Sequence, residues 1–321
     1  MLATASRRRF LRRSAIVGTG VLAGCLTEGE NSAKYSTAVS IPSVEYQFFV
    51  RLQDRYEQLQ KERDISGTFY DAQNSVSQQV SDVETAVTND VDFIAISPIT
   101  EQGVTPAVKN ANEADVPVIN IDRTIKGAEV ATHIASDNVQ MGVDATNKCL
   151  EFMRGIADKS SYNLLELRGT PGTSVANDRN EGLKRALKEN DSLSLLGSQN
   201  AEFSTSEAVS VMEDFVTSHG DKIDGVYAHN DLMALGAHRV IQDSNLSDIP
   251  IVGIDGTDTW VQTFSDNQYY ATVAQLPEKM MSTAVDVGIE VVEGKEVKEF
   301  YQTEAPIITQ ENAQQYLDEY F

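Results

Sequence analysis

The sequence predicts an α/β protein with two doubly wound lobes, each built on a parallel sheet. Two similar stretches in opposite halves of the chain support this, residues 116–123 (VPVINIDR) and 249–256 (IPIVGIDG). Each is a short β-branched run, entered by a proline, that ends at an aspartate. Such a run without alternation is typical of a parallel strand buried on both faces. A carboxylate at its carboxyl end lies where open α/β sheets bind ligands, so Asp122 and Asp255 indicate one ligand between two similar domains.

A second pair of apolar runs strengthens the repeat. Residues 91–98 begin 25 residues before the first stretch, and residues 223–230 begin 26 residues before the second. Each pair brackets a helical segment, which gives two β-α-β units of matching length. Any parallel α/β protein repeats strand, helix and strand at about this period, but the shared proline entry and aspartate exit favour a true repeat. A chain of 321 residues also exceeds the usual size of a single core.

The remaining apolar patterns predict the elements in chain order. In the first half we expect strands at residues 36–43, 67–70, 91–97, 116–122 and 131–135, separated by amphipathic helices. In the second half we expect helices at 141–154, 175–187 and about 278–293, and strands at 162–167, 193–199, 225–228, 251–254 and 270–274. Asp231 is predicted to cap the helix that it heads, which would leave Asn230 available to a ligand.

The charge of the chain excludes one class of partner. The formal net charge is −22, and the first 24 residues contain five arginines and no acid, so the rest has 21 basic and 48 acidic residues, a net charge of −27. So acidic a surface argues against nucleic acid as a partner. A hydrophobic content of 41% opposes disorder, and we interpret the charge as the solvated shell of a salt-adapted protein.

The N-terminus has the pattern of an export leader. Residues 6–12 (SRRRFLR) match the twin-arginine signal, and residues 15–23 form an apolar stretch too short to span a membrane. The stretch closes at the sequence LAGC, a lipobox in which the Cys25 thiol would be acylated. We therefore expect residues 1–24 to be a signal peptide and 25–34 a lipid-anchored tether at the outer face of the cell membrane. The other cysteine, Cys149, is expected to be a small buried apolar residue rather than half of a disulfide.

Polar and aromatic residues recur after the predicted strands: Phe48, Phe49, Asp122, Arg123, Arg179, Phe203, Asn230, Asp255 and Gln275. Carboxylates and amides accept hydrogen bonds from hydroxyls, arginine forks donate them, and aromatic faces cover the C–H faces of a sugar ring. The pattern predicts a pocket for a neutral polyol. Each residue also has a structural alternative: the phenylalanines could be core, Asp122 and Arg123 an ion pair, and Asp255 part of a turn.

Signals of catalysis are poor. The sequence has no nucleophile elbow, no zinc-protease motif and no phosphate-binding loop, and the four histidines lack metal-ligand spacing. We therefore expect neither an enzyme nor a metal or cofactor site. A glycosidase would need a carboxylate pair flanking an open cleft, whereas the arginines near Asp122 and Asp255 are expected to keep these acids ionised.

Six short segments together resemble the ribose-binding group of periplasmic sugar-binding proteins, which have the type I binding-protein fold: residues 118–123, 133–138, 169–174, 230–236, 252–257 and 274–277. The resemblance spans about residues 35–304. It implies that Phe48, Phe49 and Phe203 sandwich the sugar ring. It also implies polar contacts from Asp122 and Arg123 in the first lobe, from Arg179, Asn230 and Asp255 in the second, and from Gln275 at the hinge. Tyr46 departs from the pattern, because ribose binders have an asparagine there.

The resemblance also implies an architecture and a role. A hinge of three crossings, near Asp137, Gln275 and Glu304, would divide the chain into lobes of residues 35–137 with 276–304, and 138–275 with 305–321. The protein would act as a monomer that delivers a pentose such as ribose to the permease of an ABC importer by hinge closure. An alternative is a receptor for a furanose-like autoinducer that reports to a signalling sensor.

Overall fold

The computed structural model describes residues 33–246 and 248–321. The predicted signal peptide, Cys25 and most of the predicted tether lie outside the described residues. Within the described part of the chain, none of the helices combines the length and the apolar character that a membrane crossing requires.

The chain forms its elements in three stretches. The first consists of β1 (Tyr35–Ile41), α1 (Gln47–Glu62), β2 (Ile65–Asp71), α2 (Val76–Thr88), β3 (Phe93–Ile96), α3 (Thr105–Glu113), β4 (Val118–Ile121) and β5 (Thr132–Ser136). The second consists of α4 (Asn138–Ile156), β6 (Tyr162–Arg168), α5 (Ser174–Glu189), β7 (Leu193–Asn200), α6 (Thr205–His219), β8 (Gly225–Ala228), α7 (Asp231–Asp243), β9 (Ile251–Asp255), α8 (Asp258–Gln262) and β10 (Tyr270–Ala274). The third consists of α9 (Pro277–Val292), β11 (Phe300–Thr303), β12 (Ile307–Thr309) and α10 (Ala313–Tyr320).

These strands form two six-stranded sheets with equivalent strand orders. The first sheet has the order β2-β1-β3-β4-β5-β11 and the second β7-β6-β8-β9-β10-β12. All neighbouring strands are parallel except β12, which runs antiparallel to β10. The chain passes between the sheets after β5, after β10 and after β11. The predicted fold class of two doubly wound parallel sheets is confirmed.

Helices cover both faces of each sheet, as the continuous apolar strands require. Every residue of β3 and β4 is buried. In the first lobe, α1 and α9 pack on one face through Leu52, Tyr56 and Met280, while α2 and α3 close the other face. Cys149 of α4 is fully buried in the second lobe, as the sequence predicts.

Sequence patterns missed the elements α6, β11, β12 and α10. The two last strands are short, and Phe300 of β11 is 43% exposed, so neither strand has the apolar run that marks a buried strand. They form by pairing at the outer edges of β5 and β10. Tertiary pairing rather than local pattern therefore decides these strands.

Helices α4 and α5 touch at two glycines, and this contact sets the position of Arg179 on α5. A Cβ atom added to Gly142 would lie 2.4 Å from the carbonyl oxygen of Arg179. A Cβ atom added to Gly182 would lie 2.3 Å from the carbonyl oxygen of Val139. Both distances are far below contact, so only glycine allows the helices to approach this closely.

We expect Gly142→Ala to lower the free energy of unfolding by about 1–3 kcal/mol, because the added methyl group must push α5 away. Urea unfolding of the purified protein measures this. Gly155→Ala on the same helix is the matched control, since its Cβ atom would meet only the Tyr269 ring, at 3.9 Å. Equal stability of the two variants would show that the helix contact is not tight.

Candidate functional site

Loops at the carboxyl ends of the two sheets meet and hydrogen-bond to each other. The backbone nitrogen of Thr124, just after β4, donates to the Ser174 hydroxyl at the start of α5, at 2.9 Å. The side chain of Gln47 at the start of α1 donates to Asp258 of α8, at 2.5 Å. The strand ends that the sequence marks as a site therefore lie at one junction between the lobes.

Aromatic rings from both lobes line this junction. Phe48 and Phe49 are buried at the start of α1, with ring centroids 5.0 Å apart in an edge-to-face arrangement, and both belong to the first lobe's core. Tyr46 is half-buried, and its ring centroid lies 6.2 Å from that of Phe49. Phe203 is contributed by the second lobe, from the loop between β7 and α6, and is also buried.

The Gly-rich turn makes room for Phe203. A Cβ atom at Gly169 would fall within 1.9 Å of the Phe203 ring, so a larger residue would displace the ring. Asn230 adds a second contact, because its side-chain nitrogen lies 3.5 Å from the carbonyl oxygen of Phe203. The turn that resembles the family motif thus fixes an aromatic side chain of the site.

Asp122 and Arg123 bring opposite charges into the junction. The Arg123 guanidinium carbon lies 5.6 Å from the Phe49 ring and 5.8 Å from the Phe203 ring, so it links aromatic groups of both lobes. Burial lowers the pKa of Arg123, and the neighbouring Asp122 acts in the opposite direction. Burial likewise raises the pKa of Asp122, against the attraction of Arg123 and Arg179.

Arg179 and Asp255 form the second charged pair. Arg179 is buried, and its Nη2 atom lies 3.6 Å from Asp255 Oδ1. Its Nε atom donates to Asn138 Oδ1 at 2.9 Å, and its Nη1 atom donates to the carbonyl oxygen of His229. Gln275 donates its side-chain amide to Asp255 Oδ1 at 2.9 Å. Arg179 is therefore held on three sides and aimed at the carboxylate.

The nearby arginines do not lower the pKa values of the two carboxyl groups below the ordinary range. Burial raises the pKa of Asp255 to about 6, and Arg179 and Gln275 only partly offset it. The pKa of Asp122 is also raised. Desolvation of the carboxylates thus outweighs the nearby positive charges.

The residue that caps α7 is Asn230 and not Asp231. Asn230 is the N-cap of α7, and its Oδ1 atom accepts from the backbone nitrogen of Met233 at 3.0 Å. Asp231 is the first helical residue, and its carboxyl group instead accepts from the Thr257 backbone nitrogen and the Thr272 hydroxyl, both at 2.7 Å. The prediction that Asp231 caps the helix was wrong because Asn230 already has the extended backbone of a cap.

A buried polar network behind Arg179 escaped sequence reasoning. Glu166 accepts from His229 Nε2 at 2.8 Å, from Asn180 at 2.8 Å and from the Ser198 hydroxyl. The Gly169 backbone nitrogen donates to His229 Nδ1, so the imidazole carries its proton on Nε2.

The charges of this network follow from its hydrogen bonds. Burial opposes ionisation of Glu166, but the three donors prevail and lower its pKa, while burial lowers the pKa of His229. The network therefore holds one negative charge and fixes the His229 carbonyl that receives Arg179. Glu166 interrupts the apolar run of β6, and this acidic residue in a buried strand could have indicated the network from the sequence.

The structure brings the predicted site residues into one connected cluster: Tyr46, Phe48, Phe49, Asp122, Arg123, Arg179, Phe203, Asn230, Asp255 and Gln275. Three buried polar atoms of this cluster, Asp122 Oδ1, Arg123 Nε and Gln275 Oε1, have no hydrogen-bond partner among the described residues. Buried polar atoms are normally paired, so a donor and acceptor set without partners suits a hydroxylated ligand. Among the described residues, acidic, histidine and cysteine side chains do not cluster as a metal site would require.

Two lobes with the same strand order, meeting at a buried cluster of rings and ionisable groups, define a two-lobed solute-binding protein. The chain belongs to the periplasmic binding protein family, since the family described as periplasmic binding protein domain matches residues 37–296.

Individual proteins of this kind are similar over most of the chain. The ribose import binding protein of Escherichia coli is 32% identical over 306 residues, covering 94% of this chain and 99% of that protein. The ribose import binding protein of Bacillus subtilis is 34% identical over 282 residues, covering 87% and 89%. The periplasmic binding protein of the arabinose ABC transporter from Shewanella sp. ANA-3, solved with α- and β-L-arabinofuranose, superposes with a TM-score of 0.82 at 29% identity, covering 88% and 95%.

Proposed function

We propose that this protein is an extracytoplasmic receptor that binds a monosaccharide, a pentose such as ribose, and delivers it to an ABC importer. The observation that carries the proposal is the set of unpartnered buried atoms, Asp122 Oδ1, Arg123 Nε and Gln275 Oε1, beside aromatic rings from both lobes. Sugar hydroxyls both donate and accept, so one sugar can satisfy carboxylate, guanidinium and amide groups together. Relatives named for ribose and arabinose transport support the same class of ligand.

The proposed contacts divide between the lobes. Phe48, Phe49 and Phe203 would cover the C–H faces of the sugar. Asp122 and Arg123 would bind hydroxyls from the first lobe; Arg179, Asn230 and Asp255 would bind from the second, with Gln275 beside the crossing after β10. A ligand that touches both lobes stabilises the closed arrangement, which is the state a permease would recognise. The same carboxylates serve as hydroxyl acceptors, and we propose no catalytic step.

Tyr46 would form one wall of the pocket. Its ring packs against the hydrophobic clusters of both lobes, and the Arg123 guanidinium carbon lies 6.0 Å from it. A phenol is bulkier than the asparagine of ribose binders and leaves less space beside the sugar. We therefore propose that Tyr46 restricts the site to a ring that carries no bulky substituent on that side.

We propose that the lobes comprise residues 35–137 with 276–304 and residues 138–275 with 305–321. The passage of the chain between sheets after β5, β10 and β11 supports a hinge at these points. We further propose that the protein acts as a monomer without nucleic acid, and that its net charge of −22 is an adaptation to high salt.

A thermal-shift screen at molar salt with ribose, xylose, arabinose, glucose and galactose tests the ligand class. A sugar that binds only the folded protein must raise the melting temperature. At a sugar concentration of one hundred times Kd, the free energy of unfolding rises by about 2.7 kcal/mol. We expect a shift with a pentose. If none of the five sugars raises the melting temperature, the proposed substrate class is wrong.

In the same screen, Arg179→Ala and Asp255→Ala should fold and lose the shift, because each removes a group that would hydrogen-bond to the sugar hydroxyls. Arg185→Ala is the matched control, since Arg185 lies on the same helix, is exposed and pairs with Glu181. Retained micromolar affinity in either site variant would show that the site is assigned wrongly.

Acid should weaken sugar binding through Asp255. Because its pKa is about 6, this carboxyl group is mostly ionised at pH 7 and mostly protonated at pH 5. Protonation removes hydroxyl-accepting capacity and the attraction to Arg179, so we expect Kd to rise as the pH falls, up to about tenfold per unit below the pKa. Isothermal titration calorimetry from pH 8 to pH 5 measures this.

As the pH falls, Asp255 should increase the folding stability of the unliganded protein, whereas it should weaken sugar binding. Its folded pKa lies above the ordinary value of 3.8, so the folded state binds more protons and is stabilised as the pH falls through this window. Melting temperatures of the unliganded protein over the same pH range separate the two effects. A constant Kd from pH 8 to pH 5 would contradict the role of the Asp255 carboxylate.

We also propose that residues 1–24 direct twin-arginine export and that Cys25 carries the lipid anchor. The LAGC sequence at the end of the apolar stretch supports this. Cys25→Ser should move the protein from the membrane fraction to the medium, as immunoblotting of fractionated cells would reveal. A protein that stays with the membrane after this substitution is anchored in another way.

A further inference from the structure

Arg51 is a buried cation outside the ligand cluster. It lies on α1, is 7% exposed, and places its Nε and Nη2 atoms 2.6 and 2.9 Å from the two carboxylate oxygens of Glu278 on α9. Both helices pack on the first sheet. Such a bidentate fork fixes the orientation of the guanidinium plane, so Arg51 is anchored to the first lobe.

The remaining nitrogen of Arg51 reaches the second lobe. Nη1 lies 3.5 Å from the carbonyl oxygen of Gly256 and 3.4 Å from the Tyr316 hydroxyl on α10. The Tyr316 hydroxyl itself donates to the same Gly256 carbonyl at 2.8 Å. The guanidinium carbon also lies 4.6 Å from the Phe321 ring centroid. Arg51 is therefore a charged bridge between the lobes that does not involve the ligand cluster.

The carbonyl that Arg51 contacts belongs to the turn that carries Asp255. Asp255 has a φ angle of 124° and Gly256 one of 74°. A non-glycine residue with such a φ angle is strained by about 1–3 kcal/mol and persists only where its surroundings hold it. A Cβ atom at Gly256 would lie 2.4 Å from the Tyr316 hydroxyl oxygen, so the turn and α10 are tightly fitted.

Most of the contacts that hold this turn come from the second lobe or from the hinge. The Gln275 backbone nitrogen donates to the Asp255 carbonyl at 3.0 Å, and the Gly256 nitrogen donates to the Thr272 hydroxyl at 3.2 Å. The contact of Arg51 differs because it comes from the opposite lobe. Opening the lobes would separate Arg51, fixed on Glu278, from the Gly256 carbonyl.

We propose that Arg51 is a positioning residue that couples lobe closure to the geometry of Asp255. In the closed arrangement it completes the hydrogen bonding of the Gly256 carbonyl and holds the strained turn, so the Asp255 carboxylate is aimed into the site. Ligand affinity then depends on a side chain that does not contact the ligand. This inference rests on the proposed function only in taking the ligand to be a sugar.

Arg55 provides a matched control on the same helix. Its Nε atom donates to the Ser282 hydroxyl at 2.8 Å, and its Nη1 and Nη2 atoms each lie 2.9 Å from a carboxylate oxygen of Glu62. All of these partners lie on α1 or α9. Arg55 thus links α1 to α9, as Arg51 does, through different partners and without the contact to the second lobe.

The test compares Arg51→Met with Arg55→Met in the full chain, with the sugar that gives the largest thermal shift. Stopped-flow fluorescence gives the association and dissociation rates, and calorimetry gives Kd. We expect Arg51→Met to raise Kd at least tenfold through faster dissociation, with association within twofold of the unchanged protein. Arg55→Met should stay within twofold in both rates. A Kd for Arg51→Met within twofold of that for Arg55→Met would overturn the proposal.

Two milder variants guard against a folding defect. Arg51→Lys keeps the charge, but an ammonium group cannot fork onto Glu278 and also reach Gly256, so its Kd should rise as well. Tyr316→Phe keeps the ring and removes the hydroxyl between Arg51 and Gly256. Its effect on Kd should not add to that of Arg51→Met, since both act on one carbonyl. If the effects of Tyr316→Phe and Arg51→Met on the free energy of binding are additive, the two side chains do not act together on the Gly256 carbonyl.

If no sugar binds, the proposed function fails, and small-angle X-ray scattering of the unliganded protein tests the bridge separately. Arg51→Met should then increase the radius of gyration at molar salt, whereas Arg55→Met should not. An unchanged radius for Arg51→Met would overturn the bridge whatever the ligand.

Discussion

The burial of ionisable side chains where the two sheets meet is the constraint on which the rest of the structure depends. Asp122, Arg123 and Arg179 are buried, and the side chain of Asp255 is 13% exposed. An isolated charge taken out of water loses several kcal/mol, and a whole domain has only about 5–15 kcal/mol of net stability. These groups can therefore coexist only if each is placed within reach of an opposite charge or an oriented dipole. The fold provides opposite charges from the strand ends. It provides oriented dipoles from a second layer of residues behind them, Asn138, Glu166 and His229.

The second layer acts mainly on Arg179. The backbone carbonyl of His229 and the amide oxygen of Asn138 accept its hydrogen bonds, so the guanidinium is satisfied without a direct fork on a carboxylate. The Asp255 carboxylate at 3.6 Å thus keeps acceptor capacity for another group. Glu166 places a full negative charge behind His229 and fixes the carbonyl that Arg179 uses. A binding site needs incompletely paired charges, because a carboxylate and a guanidinium that are fully paired with each other have no free hydrogen-bonding capacity for a hydroxyl.

Local sequence patterns predicted the part of the site that lies at strand ends. A β-branched run that stops at Asp122 or Asp255 places its carboxylate by chain geometry alone, so the two sheets and their polar ends could be predicted. The pattern could not assign the cap of α7, because Asn230 and Asp231 are both good capping residues and only the backbone conformation decides between them. Arg51 also escaped, since its partners Glu278 and Tyr316 lie more than 200 residues away and helical periodicity says only that a polar residue faces outward.

The two lobes have the same strand order, but the contacts that hold Asp122 in the first lobe differ from those that hold Asp255 in the second. The Asp122 backbone is held within the first lobe, by the carbonyl of Ile134 and the imidazole of His133, and Asp122 has a φ angle of 57°, which lies in the left-handed region that aspartate tolerates. Asp255 has the rarer φ angle of 124° and receives one of its supports, through Gly256, from the other lobe. The first carboxylate is therefore preorganised in either arrangement of the lobes, whereas the second is completed by closure. An asymmetry of this kind lets a ligand dock on the first lobe and makes the release rate depend on the second.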